Sequence, residues 1–369
     1  MGDFVKFWKR KFLVFLLDSC TLVRGYSLMK KSLPLTIFLL FFMLLCFFLK
    51  VQLWTGYSST TSPSSPPFDP EVFFAHLQPL TGTLFVGPNP EILASYENFF
   101  VNTDSFLYLR NYQITHQIFK DQFQSLSKRW IPIHIILENK VYNAYQNFFK
   151  QLQDDFSGDQ RVRIQSDDPM GTVYVHSKVM VNEDAFWIQT ANLTKSSFEA
   201  NREHFFFSSE EAVRSSLVQL FGNDWEGNPL SVDQFHPNVV VCPVNCRAVV
   251  EAMLRGAEQS IMIQTQYILD PEILQILRHQ SEKLDLHLIV ADTVENAEVV
   301  QYFGPAVARK LKSNYNHTKM ILVDGKYLLL GSMNLSENSL DNNREIWIIL
   351  LDPIFLQQFE EGFRLDWKR

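Results

Sequence analysis

Cysteine is scarce in this chain, with four residues among 369. Cys20 and Cys46 lie in the amino-terminal region, and Cys242 and Cys246 form one C-x3-C pair. This spacing fits a disulfide, which export from the cytoplasm would permit, and equally two unpaired thiols. Neither a cysteine nor a second histidine lies at metal-ligand spacing near His317, so the sequence predicts neither a metal site nor a cofactor.

An excess of basic residues is also lacking. The chain has a formal net charge of −7, and residues 55–369 carry 25 basic and 38 acidic side chains. A domain that binds long nucleic acid usually presents a basic surface, because neutralisation of phosphates dominates its affinity. The acidic balance therefore disfavours nucleic acid as a partner, although a local basic cleft for short oligonucleotides stays open.

One long apolar run interrupts an otherwise mixed sequence, the 18 uncharged residues SLPLTIFLLFFMLLCFFL. Its length is near the lower limit for crossing a bilayer, and no small-x-small cleavage site follows it. We predict a signal anchor at 32–54, with a cleaved signal peptide as the alternative. Basic residues in 1–31 predict a cytoplasmic leader, which places the domain that follows outside the cytoplasm, or secretes it after cleavage. The Ser, Thr and Pro-rich residues 55–80 predict a linker.

What the chain does contain is a duplicated segment around a histidine. Residues 176–207 read HSKVMVNEDAFWIQTANLTKSSFEANREHFFF, and residues 317–349 read HTKMILVDGKYLLLGSMNLSENSLDNNREIWII. The matching polar pairs are His176 and His317, Lys178 and Lys319, Asn192 and Asn334, and Glu203 and Glu345. Further matches lie upstream, where Tyr112 pairs with Tyr267 at an offset of 155, and downstream at Asp224-Trp225 and Asp366-Trp367. We therefore place two whole units at 81–230 and 231–369.

Each unit reads as strands alternating with helices, followed by a histidine hairpin and a closing amphipathic segment. Apolar strands that alternate with helical patterns indicate an α/β unit with a largely parallel sheet covered on both faces. Two such units facing each other across a pseudo-twofold axis would build one shared site from both hairpins.

The hairpin of the second copy brings polar groups together. Successive side chains of a strand point to opposite faces, so His317 and Lys319 lie on the same face. A tight turn then returns the chain, which brings Ser332 and Asn334 back alongside His317. An imidazole, an ammonium, a hydroxyl and a carboxamide would thus converge, and this set suits an anionic phosphoryl group.

These residues resemble the signature of the phospholipase D superfamily. His317, Lys319 and Asp324 match its H-x-K-x4-D pattern, and Ser332 and Asn334 match the G-S-x-N that follows. The resemblance covers residues 80 to 369. It implies two α/β halves around a single active site and a two-step phosphodiester cleavage without metal. In that mechanism one histidine attacks phosphorus to form a phosphohistidine, and the other protonates the leaving oxygen.

The resemblance assigns a role to each matched residue. His176 is expected to be the nucleophile, as the amino-terminal copy commonly is in the family, and His317 the acid. Lys178, Lys319, Asn192 and Asn334 would hold the phosphoryl oxygens, with Thr190 and Ser332 as further substrate-binding groups. Glu203 and Glu345 would accept the second ring N–H of the histidines and fix their tautomers.

The first copy departs from the pattern. Glu183 occupies the aspartate slot, and Gln189-Thr190 replaces the Gly-Ser pair, in a hairpin one residue shorter. Because the slot lies at the turn, Glu183 and Asp324 are expected to stabilise the hairpins rather than to act on substrate.

The sequence thus predicts a membrane-anchored phospholipase D-like phosphodiesterase, active as a monomer, that cleaves or transfers phospholipid head groups. Its partners would be the phospholipid substrate and the membrane. Two alternatives stay open, a metal-independent endonuclease of the same superfamily and a catalytically weak, membrane-anchored binding protein. The head group and the choice between hydrolysis and transfer are not fixed by the sequence.

Overall fold

Two seven-stranded sheets, one from each half of the chain, form the centre of the protein. The computed structural model describes residues 68–140, 147–166 and 168–369. The predicted leader, the predicted signal anchor and residues 55–67 of the predicted linker lie outside the described residues. Within the described ranges, no helix is both long enough and apolar enough to cross a membrane.

In the first half, strands and helices largely alternate until the histidine hairpin. The described elements are α1 (Pro70–Ala75), β1 (Thr83–Gly87), α2 (Pro90–Val101), β2 (Leu107–Asn111), α3 (Gln117–Lys128), β3 (Ile133–Leu137), α4 (Phe148–Asp155), β4 (Val162–Gln165), β5 (Val179–Val181), β6 (Phe186–Gln189), α5 (Lys195–Glu199), β7 (Glu203–Ser208) and α6 (Glu211–Glu226).

The second half repeats this order. Its elements are β8 (Val239–Cys242), α7 (Cys246–Arg255), β9 (Ser260–Thr265), α8 (Pro271–Ser281), β10 (Asp285–Ala291), α9 (Ala297–Phe303), β11 (Ala308–Leu311), β12 (Lys319–Val323), β13 (Tyr327–Gly331), α10 (Glu337–Asp341), β14 (Glu345–Leu350) and α11 (Pro353–Trp367). The predicted α/β fold of two tandem units is confirmed.

Several helices begin where the sequence signals a start. Prolines stand at the beginning of α2, α8 and α11, and the preceding Asn89, Asp270 and Asp352 each accept a backbone N–H with the side chain. A proline in the first turn leaves no hydrogen bond unmade, and the capping oxygen satisfies a donor that the helix cannot.

Both sheets have the same strand order, β1-β7-β6-β5-β2-β3-β4 and β8-β14-β13-β12-β9-β10-β11. In each, only the three strands at one end pair in parallel (β2-β3-β4 and β9-β10-β11), and every other pairing is antiparallel. The expectation of a largely parallel sheet is therefore wrong. The short turns of the histidine hairpins allow antiparallel neighbours only, because a parallel connection needs a long crossover.

The alternation of side chains divides the core into layers. On β12, Met320 and Leu322 belong to a core that both halves share, whereas Ile321 and Val323 pack with the helices of the second half. The first half has a corresponding outer core around Trp187. Each sheet therefore has its own helices on one face and a core common to both halves on the other.

The strand registers correct one of the sequence pairings. Arg110 of β2 lies opposite Val179, and Gln264 of β9 lies opposite Met320, the residue that matches Val179. The offset is therefore 154 at these strands, so Tyr112 corresponds to Gln266, and not to Tyr267 as predicted. A difference of one residue between the two copies upstream of the strand accounts for the shift.

Two further sequence questions are answered by the fold. Cys242 and Cys246 are joined in a disulfide, one of the two alternatives that their spacing left open. Helix α1 lies within the predicted linker and packs Phe73 and Phe74 against the core of the second half. Burial of these aromatic side chains removes apolar surface from water, which stabilises the packing of α1 against the core. The unit limits at 81–230 and 231–369 stay predictions, since residues 68 to 369 form one compact unit.

Candidate active site

The two histidine segments meet where the halves join. Val175 forms an isolated parallel bridge with Arg344, and Arg202 forms another with Asn316. In each bridge, the residue that directly precedes a histidine lies beside the arginine of the Asn-Arg-Glu segment in the other half. The pseudo-twofold arrangement predicted from the duplication thus brings both hairpins to one place.

Each histidine is hydrogen-bonded to the glutamate of the opposite half. Nδ1 of His176 lies 2.8 Å from both carboxylate oxygens of Glu345. Nδ1 of His317 lies 2.8 Å from Oε1 of Glu203 and 3.0 Å from its Oε2. Since Nδ1–H donates to a carboxylate, the neutral ring carries its lone pair on Nε2. Both rings therefore offer the same nitrogen for attack or for proton transfer.

Burial sets the protonation states of these pairs. Burial lowers the pKa of His176 to about 4, although Glu345 opposes the shift, and it lowers the pKa of His317 in the same way. Burial alone would raise the pKa of Glu203, but His317, Lys319 and Thr190 outweigh it and keep that pKa below its usual value. At neutral pH the site thus has neutral imidazoles beside ionised carboxylates.

The two lysines are buried close to the histidines. Lys178 is 1% exposed and donates to the carbonyl of His176, and Lys319 is fully buried and donates to the carbonyl of His317 at 2.7 Å. Burial lowers the pKa of Lys178 to about 8 and that of Lys319 to about 7. Both can therefore carry a positive charge at neutral pH, with Lys319 closer to losing it.

The register shift gives the two lysines different neighbours. Lys178 lies 5.8 Å from the centre of the Tyr112 ring, whereas Lys319 lies 3.3 Å from Oε1 of Gln266. Gln266 also donates to the hydroxyl of Tyr315 at 2.7 Å. The site is therefore symmetric in its histidines and glutamates and asymmetric in what surrounds them.

The two asparagines line the cavity between the histidines. Among the described residues, the Oδ1 atoms of Asn192 and Asn334 are buried without a hydrogen-bond partner. The cavity that they share with both histidines has a volume of about 580 Å³. An unpaired buried acceptor is costly, so a hydrogen-bond donor such as a hydroxyl group would satisfy these Oδ1 atoms, while the Nδ2–H groups of the same side chains can donate to phosphoryl oxygens.

The two hydroxyl residues lie behind the glutamates. Thr190 donates to Oε2 of Glu203 at 2.5 Å, and the corresponding Ser332 accepts from the backbone N–H of Ile346 at 3.1 Å. Both are fully buried, and neither is among the residues that line the 580 Å³ cavity. These contacts indicate that the two hydroxyls position the strands that carry Glu203 and Glu345. The contact with substrate that the sequence predicted is not supported by them.

Glu183, which stands in place of the aspartate in the first copy, makes the same kind of backbone contacts as Asp324 in the second. Asp324 accepts backbone N–H groups of Gln259 and Ser260 at 2.8 and 2.9 Å. Glu183 accepts from the backbone of Asp104 and, at 3.0 Å, of Ser105. Both carboxylates thus fasten the turn that precedes a parallel strand, so the shift in the first copy leaves this support intact.

Sequence reasoning missed a pair of buried ionic clusters between the halves. Asp224 is held by Arg110 of its own half and lies 3.2 Å from Nη2 of Arg344 of the other. In the symmetric position, Asp366 lies 2.7 Å from Arg202 and accepts from Gln264 at 2.9 Å. Arg202 and Arg344 each directly precede one of the two glutamates. The repeated Asp-Trp pairs and the Asn-Arg-Glu repeat were the signals that pointed to these clusters.

No group of three or more His, Cys, Asp or Glu side chains that could hold a metal ion occurs in the described ranges. The absence of a metal from the mechanism stays a prediction.

Comparison with known proteins identifies the family. Residues 98–225 and 250–367 each match the family model described as "Cardiolipin synthase, PLD-like domain". Cardiolipin synthase 1 of Bacillus anthracis is 28% identical over 128 residues, which is 32% of this chain and 25% of that protein. The match thus spans about a quarter of the length of that relative.

Two solved structures share the fold. Phosphatidylserine synthase of Haemophilus influenzae has a TM-score of 0.60 at 14% identity, over 77% of this chain and 87% of that one. Polyphosphate kinase of Porphyromonas gingivalis has a TM-score of 0.58 at 14% identity, over 82% of this chain and 56% of that one. With both halves matching the family model and both contributing to one histidine site, the chain belongs to the phospholipase D superfamily, with two cardiolipin synthase-type domains in tandem.

Proposed function

We propose that this protein is a membrane-anchored phosphodiesterase that cleaves or transfers phospholipid head groups through a phosphohistidine. One observation carries the proposal. Two histidines from different halves, each bound at Nδ1 by a buried glutamate, line a single cavity. Such a pair can supply a nucleophile and an acid to the same phosphorus atom.

In the first step, Nε2 of His176 attacks phosphorus and forms an N–P bond while the bond from phosphorus to the head-group oxygen breaks. The Nε2 proton of His317 passes to that oxygen. His317 is neutral before substrate binds, so it takes up this Nε2 proton from solvent when the anionic phosphate binds, and Glu203 stabilises the resulting imidazolium. Lys178, Lys319 and the two asparagines hold the non-bridging oxygens, on which charge accumulates in the transition state.

In the second step, the neutral His317 removes a proton from water or from an alcohol. The resulting oxygen attacks phosphorus, the N–P bond breaks, and His176 leaves as a neutral imidazole. Water gives hydrolysis, and an alcohol gives transfer of the phosphatidyl group. The same residues serve both outcomes, so the choice depends on which acceptor reaches the cavity.

Phospholipid is the substrate class that the observations support best. The family model and the curated relative, Cardiolipin synthase 1, support lipid chemistry, and the apolar run before the domain would hold the site at a bilayer. The acidic balance of the domain opposes long nucleic acid. We further propose that the domain faces away from the cytoplasm. Protease added to intact cells should then digest it; protection of the domain while a known outer-face protein is digested would contradict this topology.

The full-length protein in detergent micelles provides the test of function. Head-group release from mixed phospholipids in EDTA should fall on the order of 10³-fold or more in both His176→Ala and His317→Ala. The matched control is His279→Ala, because His279 is an exposed histidine of α8, and its activity should equal that of the native protein. Cleavage of oligonucleotides alone would identify a nuclease, and loss of activity in EDTA that metal restores would refute the metal-free mechanism.

A further inference from the structure

The disulfide of the second half lies beside one of the two glutamates that bind the histidines. It joins Cys242, the last residue of β8, to Cys246, the first residue of α7, and both side chains are 1% exposed. Cys242 is the partner of Glu345 in the antiparallel pairing of β8 with β14. The cross-link therefore begins on the strand next to the carboxylate that binds His176.

Hydrogen bonds of Arg344 connect the disulfide to the site. Nη1 of Arg344 donates to the carbonyl oxygen of Cys242 at 2.9 Å. The carbonyl oxygen of Arg344 in turn accepts the backbone N–H groups of His176 and Ser177 at 3.1 and 2.9 Å. Because Arg344 also directly precedes Glu345, a shift of the cross-linked strand end would change the orientation of both partners in this histidine–glutamate pair.

Buried side chains surround the two sulfur atoms. Sγ of Cys242 lies 3.3 Å from Sδ of Met333, and Sγ of Cys246 lies 3.2 Å from the carbonyl oxygen of Leu340. Both of these neighbours are fully buried. Bonded sulfurs stand about 2.0 Å apart, and two thiols cannot approach each other as closely. In a core packed to the density of a crystal, the extra room has to come from displaced neighbours.

The first copy cannot form this cross-link, because Gly87 and Glu91 stand at the positions that correspond to the two cysteines at the offset of 155. Arg202 donates there to the carbonyl oxygen of Gly87 at 3.0 Å, so the arginine contact itself is common to both copies. A covalent bond supports this contact only on the side of Glu345, the glutamate of the proposed nucleophile.

We propose that the Cys242–Cys246 disulfide is a redox-dependent positioning element for Glu345. His176 then attacks at its full rate only while the two cysteines are oxidised, and in this the inference rests on the proposed function. Reduction by a dithiol breaks the S–S bond and gives two thiols, while the dithiol supplies two electrons and two protons and itself becomes a disulfide. Because the cytoplasm keeps thiols reduced, activity would increase once the domain has left that compartment.

The reduced protein should stay folded. Oδ1 of Asn245 accepts the backbone N–H of Val241 at 2.9 Å, and the N–H of Asn245 donates to the carbonyl of Val241 at the same distance. Nε and Nη2 of Arg247 donate to the two carboxylate oxygens of Asp341, both at 2.6 Å, which fastens the start of α7 to α10. A cross-link between residues four apart constrains the unfolded chain little. Reduction should therefore move the strand end without unfolding the domain.

The rate of phosphohistidine formation tests the proposal. With the full-length protein in detergent micelles and in excess over a p-nitrophenyl phosphodiester, release of p-nitrophenol reports this step alone. Cys242→Ala/Cys246→Ala should lower the rate roughly tenfold or more, because small displacements of reacting groups slow a reaction strongly. Reduction of the native protein with dithiothreitol, with the thiols counted after alkylation, should give the same loss, and reoxidation should restore the rate.

The matched control is Cys20→Ala/Cys46→Ala, which removes the other two cysteines of the chain. Its rate should equal that of the native protein and should fall equally in dithiothreitol. If Cys242→Ala/Cys246→Ala does not fold, the reduced native protein provides the comparison, and the variant provides it if dithiothreitol does not reach the buried disulfide.

Double variants separate positioning from general destabilisation. If the disulfide acts through Glu345, its removal should lower the rate less than about threefold in a Glu345→Gln protein, because the group that it positions is already lost. In Glu203→Gln, the pseudo-symmetric control, the full tenfold loss should remain. A loss of the same size in both backgrounds would indicate a purely structural disulfide and overturn the inference.

Failure of the inference and failure of the function differ in these assays. An active native protein whose rate does not depend on the disulfide would overturn the positioning role alone. If the native protein released neither p-nitrophenol from the diester nor a head group from mixed phospholipids, the proposed function would be wrong, and the inference with it.

Discussion

Glu345 accepts a hydrogen bond from Nδ1 of His176 at 2.8 Å, although 169 residues separate the two along the chain. His317 and Glu203 form the reciprocal pair at a separation of 114 residues. Each histidine is therefore hydrogen-bonded to a glutamate of the other half, and the proposed role of each glutamate can be tested through the histidine that it contacts.

The first prediction concerns the two glutamates. Glu345→Gln should slow formation of the phosphohistidine by on the order of 10²- to 10⁴-fold, because His176 loses its orienting carboxylate. Glu203→Gln should slow mainly its breakdown when the leaving group is p-nitrophenol, which departs without an acid. Rapid mixing with a p-nitrophenyl phosphodiester should then show a burst of product in Glu203→Gln and none in Glu345→Gln. The reverse pattern would make His317 the nucleophile.

The second prediction concerns pH. Burial lowers the pKa of His176 to about 4, so the nucleophile is neutral above that value. Burial also lowers the pKa of Lys319 to about 7 and that of Lys178 to about 8, so the positive charge that binds phosphate is lost as the pH rises through this range. For a p-nitrophenyl phosphodiester, whose leaving group needs no proton from His317, kcat/KM reports the free enzyme and should rise as the pH increases through about 4 and fall between about pH 7 and 9. A profile that stays flat to pH 10 would contradict the role of the lysines.

The third prediction concerns the ionic clusters between the halves. Asp224→Ala leaves Arg110 and Arg344 buried without their common carboxylate, which should cost roughly 3–5 kcal/mol in the free energy of unfolding. Urea denaturation in detergent measures this loss. Asp154→Ala is the control, because Asp154 pairs with Lys150 on the surface and both side chains are more than 60% exposed; it should change stability by less than about 0.5 kcal/mol. If the two variants were equally stable, the prediction that the buried ionic cluster stabilises the fold would be wrong.

The fourth prediction concerns His204, which is 2% exposed and stands where the second copy has Ile346. Burial lowers its pKa from 6.5 to about 3, so below pH 6.5 the unfolded chain binds a proton that the folded chain does not. The free energy of unfolding therefore falls as the pH drops, by about 2 kcal/mol at pH 5 from this residue. His204→Ile should lack this loss. Denaturation at pH 8 and pH 5 measures the difference, and an equal acid loss in both proteins would contradict it.

Much of the site could be predicted from the duplication alone. A repeated histidine, lysine, asparagine and glutamate in the same order indicated one shared cluster, and the structure brings these eight residues together around one cavity or directly behind it. The repeat could not show that each glutamate binds the histidine of the other half. Because the two copies are similar, the sequence supports a histidine partner in the same half and one in the other half equally.

The misassigned pairing of Tyr112 with Tyr267 has a similar origin. A sequence comparison without gaps favours identical residues, whereas the sheet register is set by hydrogen bonds and by which side chains face the core. One residue of difference before β2 moved Gln266 into the place of Tyr112. The contacts of Thr190 and Ser332 could not be predicted from the sequence either, because a hydroxyl two residues before an asparagine of the site can face either the cavity or the protein interior.

The crossed histidine–glutamate pairs also bear on how this chain arose. Two identical chains related by a twofold axis would form such pairs automatically, since every contact in a symmetric dimer occurs twice. Joining two copies into one chain keeps the pairs but removes the requirement that both copies stay identical. Tyr112 could then differ from Gln266, and His204 from Ile346, while the histidines and glutamates could not change alone. A single chain can thus keep both histidine–glutamate pairs while the surroundings of its two histidines differ.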